Sequence, residues 1–320
     1  MAPPADAHHQ RCGETMTGGA TDPTTATRLA PASQRAYASD WRAFTSWCTS
    51  QGEQALPASP DALCRWLSNQ VEAGYAVATI SRRLLTIRGT HLAAGHRCPV
   101  DTPKLQACWH QARRDLGTAP RRVEPITLQR LQTMVATCDP SPAGRRDHAL
   151  LVIGFAAALR RSELAQLDLD DIEQHCDGLV LTIRRSKGDQ YAAGHRLGLP
   201  RGVNAATCPE RILATWHHHL DTTSGPLLRP VDRHGNIANR HLSGRAIAEI
   251  IKRRAAAAGL DPARYSGHSL RAGFATSAAT AGASEVAIAR QTRHRSLAVL
   301  RTYIREGDLF TLNAATQVGL

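Results

Sequence analysis

Arginine guanidinium planes fork onto phosphate oxygens, so chemistry on a phosphodiester without a metal calls for at least two arginines converging on one phosphate. Such residues occur in Ala158-Leu-Arg-Arg-Ser-Glu-Leu164, where Arg160 falls at the end of a long helical pattern, Ser162 can cap the next helix and Glu163 can buttress an arginine. Taken alone, two arginines at a helix junction are more often solvated or paired with a surface carboxylate. His268-Ser-Leu-Arg271 sets a histidine and an arginine three apart on one helix face, where one can handle a proton and the other hold a phosphate. The same H-x-x-R spacing recurs at His8/Arg11 and His110/Arg113, so it selects nothing by itself. Only the copy at 268 is followed by a second histidine 23 residues after its arginine (His294) and by a tyrosine nine residues further on (Tyr303).

The elements that must position these residues are mostly helical. The chain has 320 residues, with 39 Lys+Arg against 27 Asp+Glu, a formal charge of +12 and 42% hydrophobic residues. That length and apolar content suit two domains with real cores, and the charge points to a polyanionic partner. No apolar run approaches a membrane span and no signal peptide is visible in residues 1–31, so a cytoplasmic location is expected. Eight cysteines (12, 48, 64, 98, 108, 138, 176 and 208) stand singly, which implies reduced and mostly buried thiols rather than a disulfide framework or zinc ribbon.

Residues 1–30, rich in Ala, Pro, Thr and Gly, read as a disordered segment. Residues 31–117 read as a helical domain of four helices without strands. Ser33 is the expected N-cap of a stripe through Tyr37, Trp41, Phe44 and Cys48. Further stripes run through Leu63, Trp66, Leu67 and Val71, then Val77, Ile80, Leu84, Ile87 and Leu92, then Leu105, Trp109, Ala112 and Leu116. The Gly- and Pro-containing stretch at 118–125 reads as a linker, and 126–320 as a second domain with a C-terminal tail. There, helices are expected near 127–138, 143–158, 209–220, 242–258, 268–281, 284–291 and 297–303, with strands at Leu179–Arg184 and His195–Leu199.

Arg160, Lys187, His268, Arg271, His294 and Tyr303 fall in the order and spacing of the tyrosine recombinase (phage integrase) family, which the whole chain from residue 33 resembles. Its most specific pieces are Leu159-Arg-Arg-Ser-Glu-Leu164 and His268-Ser-Leu-Arg-Ala-Gly-Phe-Ala-Thr276, while Ala78-Thr-Ile-Ser-Arg-Arg-Leu84 resembles the family's core-binding domain. The resemblance implies a mainly α fold with a small β-hairpin or sheet: a helical SAM-like core-binding domain plus a recombinase catalytic domain.

It further implies a site-specific recombinase or integrase of a mobile element, needing no metal or other cofactor. Tyr303 would attack the phosphodiester and form a 3′-phosphotyrosyl bond, with Arg160 and Arg271 neutralising charge on the non-bridging oxygens. Lys187 would protonate the leaving 5′-oxygen, His268 would assist proton transfer and His294 would hydrogen-bond the phosphate. The implied partner is double-stranded DNA in the nucleoid, held by a homotetramer on two sites. Leu309, Phe310 and Leu312 of the tail could dock on a neighbouring subunit or pack on their own domain. Two departures stand out: the glycine that commonly precedes the second histidine is Arg293 here, and the turn after Lys187 is long, so that Arg184 and Arg185 compete with Lys187 for the acid's role.

Other readings predict other things. A binding-only architectural protein gives no reason for a positioned tyrosine, and a type IB topoisomerase-like or telomere-resolving enzyme would reseal without exchanging partners. A metal-dependent nuclease finds no acidic partner for Asp168, Asp170 and Asp171, which read as an exposed acidic loop. His217-His-His219 near Cys208 lacks ligand spacing, and Lys252-Arg253-Arg254 reads as an exposed basic face.

Overall fold

The structure, a computed structural model, describes residues 31–117, 123–184, 194–294 and 296–307. The segment 1–30, residues 118–122 of the expected linker, Lys187 with its turn, and the tail from 308 lie outside the described residues. The chain divides into two compact units, residues 1–121 and 122–320. No helix among the described residues is long and apolar enough to cross a membrane.

The first unit holds helices α1 (Pro31–Ser50), α2 (Pro60–Glu72), α3 (Val77–Ala93) and α4 (Pro103–Leu116). Phe44 and Cys48, Leu63, Trp66 and Leu67, Ile80, Leu84 and Ile87, and Leu105 and Ala112 meet in its core, one stripe from each helix. Ser59 caps α2 by accepting from the Ala62 N–H at 3.0 Å, with Pro60 in the first turn, where a missing N–H costs nothing. Ser33 is not a cap, because α1 already runs from Pro31; Leu92 ends its stripe in solvent at 46% exposure.

The second unit contains α5 (Leu128–Ala136), α6 (Pro142–Ala156), α7 (Arg161–Ala165), strands β1 (Ile172–His175), β2 (Gly178–Ile183) and β3 (His195–Pro200), then α8 (Pro209–His217), α9 (Gly244–Ala257), α10 (Ser269–Thr280), α11 (Glu285–Thr292) and α12 (Leu297–Gly307). The sheet is antiparallel in the order β1-β2-β3, with Leu181 opposite Ile172 on one side and Leu197 on the other. The fold is therefore mainly α with a small sheet. β1 lies outside the expected strands: as an edge strand it buries only Ile172 in part, so Glu173, Gln174 and His175 form no apolar run.

α6 is the central helix. Ala149 to Phe155 are all buried, so the second half of α6 is apolar on every side, and the helix packs against α5, α8 and α10. α10 lies on the chain at Ile126, whose N–H donates to the Ser269 carbonyl at 2.9 Å. Gly273 permits that approach, because a Cβ there would stand 1.8 Å from the Ile126 carbonyl oxygen.

Two polar groups depart from the sequence reading. Asp171 is buried, accepts from the Asp168 N–H at 3.0 Å and pairs with Arg184 Nε at 2.6 Å; it anchors the turn into β1 rather than sitting in an exposed acidic loop. Arg254 turns inward from the expected basic face: Nε binds Asp147 Oδ2 at 2.8 Å and Nη1 donates to the Thr137 carbonyl at 2.7 Å. His217 and His218 at the end of α8 are exposed, while Cys208 is buried at its start.

Candidate active site

The site is built on the junction between α6 and α7. After Ala156 the chain reverses through Ala158, whose φ of 46° is left-handed. For a residue with a Cβ that conformation costs about 1–2 kcal/mol, and strain of this kind gathers at functional sites. The reversal aims the Ala158 carbonyl at two guanidiniums: Arg271 Nη1 donates to it at 2.8 Å and Arg293 Nη2 at 3.4 Å.

Arg160 follows, immediately before α7, where Ser162 is an internal residue rather than the cap. Both oxygens of Glu163 hold Arg160: Oε2 accepts from its backbone N–H at 2.9 Å and Oε1 from its Nη1 at 2.6 Å. The Glu163 side chain is 1% exposed and so faces Arg160 rather than solvent. Burial alone would raise its carboxyl pKa, but Arg293 and Arg160 outweigh that and leave it below the usual range. A buried ionised carboxylate thus fixes the direction of the first arginine.

Arg271 comes from the first turn of α10 and is 1% exposed. Desolvation, followed by repulsion from Arg160 and Arg293, brings its pKa down to about 9. Its Nη2 is buried without a hydrogen-bond partner, a costly state that an anionic oxygen would relieve.

His268, just ahead of α10, places Nε2 2.9 Å from the Tyr303 hydroxyl, which α12 supplies. α12 is held on α10 and α11 by a small apolar cluster of Ala275, Ala279, Ile288 and Leu300, against which Tyr303 packs. Desolvation first, then Arg271 and Arg160, lower the His268 pKa, so its neutral ring can accept the phenolic proton.

His294 follows α11. The Thr292 hydroxyl lies 2.7 Å from the Ile288 carbonyl and 2.7 Å from His294 Nδ1. Its single proton goes to the carbonyl, so Nδ1 must carry the imidazole proton and Nε2 presents its lone pair. Desolvation, then Arg271 and Arg160, hold the His294 pKa at about 4.

Arg160, His268, Arg271, His294 and Tyr303 thus share one site, while Lys187 lies outside the described residues. Of the competitors weighed for its role, Arg184 is tied to Asp168 and Asp171. Two further residues belong to the same construction. Arg293, which stands where the family commonly has glycine, turns inward with its side chain 6% exposed. Thr292 carries no signal in the sequence at all. As for metal chemistry, the one set of His, Cys and carboxylate groups close enough to share an ion, among the described residues, is His175, Cys176 and Asp177 on the exposed β1–β2 turn.

The family model described as "Phage integrase family" matches residues 124–308, and "Phage integrase, N-terminal SAM-like domain" matches residues 24–97. An "Integrase/recombinase xerD homolog" of Selenomonas ruminantium is 36% identical over 288 residues, covering 89% of this chain and 84% of that protein. "Tyrosine recombinase XerD" of Xanthomonas campestris pv. campestris is 30% identical over 291 residues, covering 87% and 84%. Among solved structures, a lambda integrase dimer bound to a COC' core site aligns with a TM-score of 0.61 at 15% identity, over 88% of this chain and 73% of that one. XerH bound to palindromic difH substrate in a post-cleavage complex aligns at 0.56 and 17%, over 81% and 72%. At these identities the structural likeness is one of fold.

Proposed function

The chain belongs to the phage integrase family of tyrosine recombinases, enzymes that cleave and rejoin DNA, and from that premise we propose that it recombines double-stranded DNA at specific sites through a 3′-phosphotyrosyl intermediate on Tyr303. The observation that carries this reading is the 2.9 Å contact between Tyr303 and His268 beside the buried, incompletely partnered guanidinium of Arg271.

The Tyr303 oxygen attacks phosphorus as its proton passes to His268 Nε2, and the bond to the 5′-oxygen breaks with that oxygen taking a proton from Lys187. Arg160 and Arg271 hold the non-bridging oxygens, with Arg271 Nη2 supplying a donor that the protein leaves unused. The bound phosphate counters the repulsion of Arg271, Arg160 and Arg293 on His294, and in its protonated form the ring donates from Nε2 to the phosphate. Reversal by a 5′-hydroxyl of another strand expels the phenol, a better leaving group than an alkyl alcohol.

Residues 31–117 act as the core-binding domain and 126–320 as the catalytic domain, a division supported by where the two family models match. We further propose a homotetramer on two sites; the comparison with lambda integrase, solved as a dimer bound to a COC' core site, supports assembly of several copies on DNA. The mobile-element role is supported by the word integrase in the name of the Selenomonas ruminantium relative, and the work is assigned to the nucleoid.

Covalent trapping tests the reading. The protein is incubated in EDTA with a nicked suicide duplex carrying its native flanking sequence, and an SDS-stable adduct is sought. An adduct from wild type and none from Tyr303→Phe supports it. No adduct from wild type on DNA that it binds would favour a binding-only protein, and an adduct persisting in Tyr303→Phe would reassign the nucleophile.

A further inference from the structure

Arg293 sits where the family commonly has glycine, and it keeps the left-handed backbone that suits glycine, with φ of 56°. A guanidinium there bears two costs, backbone strain and desolvation, and burial does lower its pKa. Its contacts account for its presence. Nη2 binds Glu163 Oε2 at 2.8 Å and reaches the Ala158 carbonyl at 3.4 Å, while Nη1 donates to the Ala157 and Gln291 carbonyls at 3.1 Å each. Its own carbonyl accepts from Arg160 Nη2 at 3.4 Å.

These partners are the same groups that aim the two substrate arginines. Glu163 holds Arg160, and the Ala158 carbonyl holds Arg271. Arg293 ties both to the end of α11, which delivers His294, so the α6–α7 junction and α11, distant in sequence, are locked by one side chain. With the side chain 6% exposed, it is shielded from DNA and acts through its neighbours.

On the functional reading above, we propose that Arg293 is a positioning residue that presets Arg160 and Arg271 on the scissile phosphate and adds a third positive charge behind them. Its contribution then falls on the transition state, where charge on the non-bridging oxygens grows, and not on DNA affinity.

The test uses the full chain in single-turnover cleavage of nicked suicide DNA, with either a phosphodiester or a methylphosphonate at the scissile position. The methylphosphonate lacks the charged oxygen that the arginines neutralise. R293G is the informative variant, since glycine keeps the left-handed backbone without strain. At saturating DNA, R293G is expected to cleave the phosphodiester about 10- to 100-fold slower than wild type. Half-saturating DNA should stay within about twofold, and on the methylphosphonate the loss should shrink to a few-fold. R293K, charged but without the fork, should fall between the two.

An R293G rate within about twofold of wild type would overturn the proposal. So would an equal loss on both substrates, because general loosening of the fold does not distinguish a charged from a neutral phosphate. Should R293G fail to fold, R293Q, similar in volume but uncharged, reads the same comparison with the same criteria. Absence of an adduct from wild type would reject the functional reading instead, so the two failures are distinguishable.

Discussion

His268 Nε2 and the Tyr303 hydroxyl stand 2.9 Å apart although 35 positions separate them in the chain. The pairing exists because α10 and α12 pack through Ala275, Ala279 and Leu300, which puts the start of one helix beside the middle of the other. With its pKa pressed below the ordinary histidine range by desolvation and the neighbouring arginines, His268 is a base at neutral pH.

His268→Gln should therefore slow single-turnover cleavage by about 100-fold or more while leaving DNA binding intact. The variant's rate should go on climbing with pH toward the phenol range near 10, where wild type has levelled off. A pH profile of cleavage checks this, and equal profiles would remove His268 from the proton path.

Gly273→Ala should destabilise the second unit by about 3 kcal/mol, the upper end for overpacking. Its Cβ would meet the Ile126 carbonyl oxygen at 1.8 Å, and backbone cannot yield as a flexible side chain does. Urea denaturation read against wild type gives the value; a loss under about 0.5 kcal/mol, the level of an ordinary surface change, would mean that α10 and the chain at 126 part easily.

Asp147→Ala should cost about 3–5 kcal/mol. Asp147 is fully buried and answers Arg146 at 2.7 Å, Arg254 at 2.8 Å and Arg253 at 2.9 Å, so its removal takes the nearest counter-charge from two buried guanidiniums. Lys252→Ala, on the outer side of the same run, should change stability by no more than about 0.5 kcal/mol. Denaturant midpoints of the two variants test the contrast.

Acid should weaken the second unit through His294. Its pKa is about 4 in the folded protein against an ordinary 6.5, so between those values the unfolded chain takes up a proton that the folded chain refuses. Stability attributable to this ring is thus complete above about pH 6.5 and is lost as pH falls toward 4, by about 1 kcal/mol once solvent screening of the partly exposed ring is allowed for. Urea unfolding at pH 7.5 and pH 5 should show a smaller acid loss in His294→Asn than in wild type; equal losses would contradict the assignment.

Much of this protein is legible in one dimension because its information is local. The stripe of Phe44 and Cys48, the Ser59–Pro60 start of α2 and the β-branched run of β2 depend on periodicity and on residues within a turn of one another. The order and spacing of Arg160, His268, Arg271, His294 and Tyr303 can likewise be read before any coordinates, since family spacing records which residue types recur together.

What tertiary structure alone decided is where polar groups point. Arg253 and Arg254 are adjacent and chemically identical and both reach Asp147, yet Arg254 is buried with the Thr137 carbonyl as a second partner, while Arg253 stays at the surface. Asp171 is covered only because Arg184 returns just after β2, and Arg293 faces inward only because Glu163 and the Ala158 carbonyl wait 130 and 135 positions away. A charge has no periodicity that announces its partner. Burying it is favourable only when that partner arrives from a distant element, and this is settled when the helices pack.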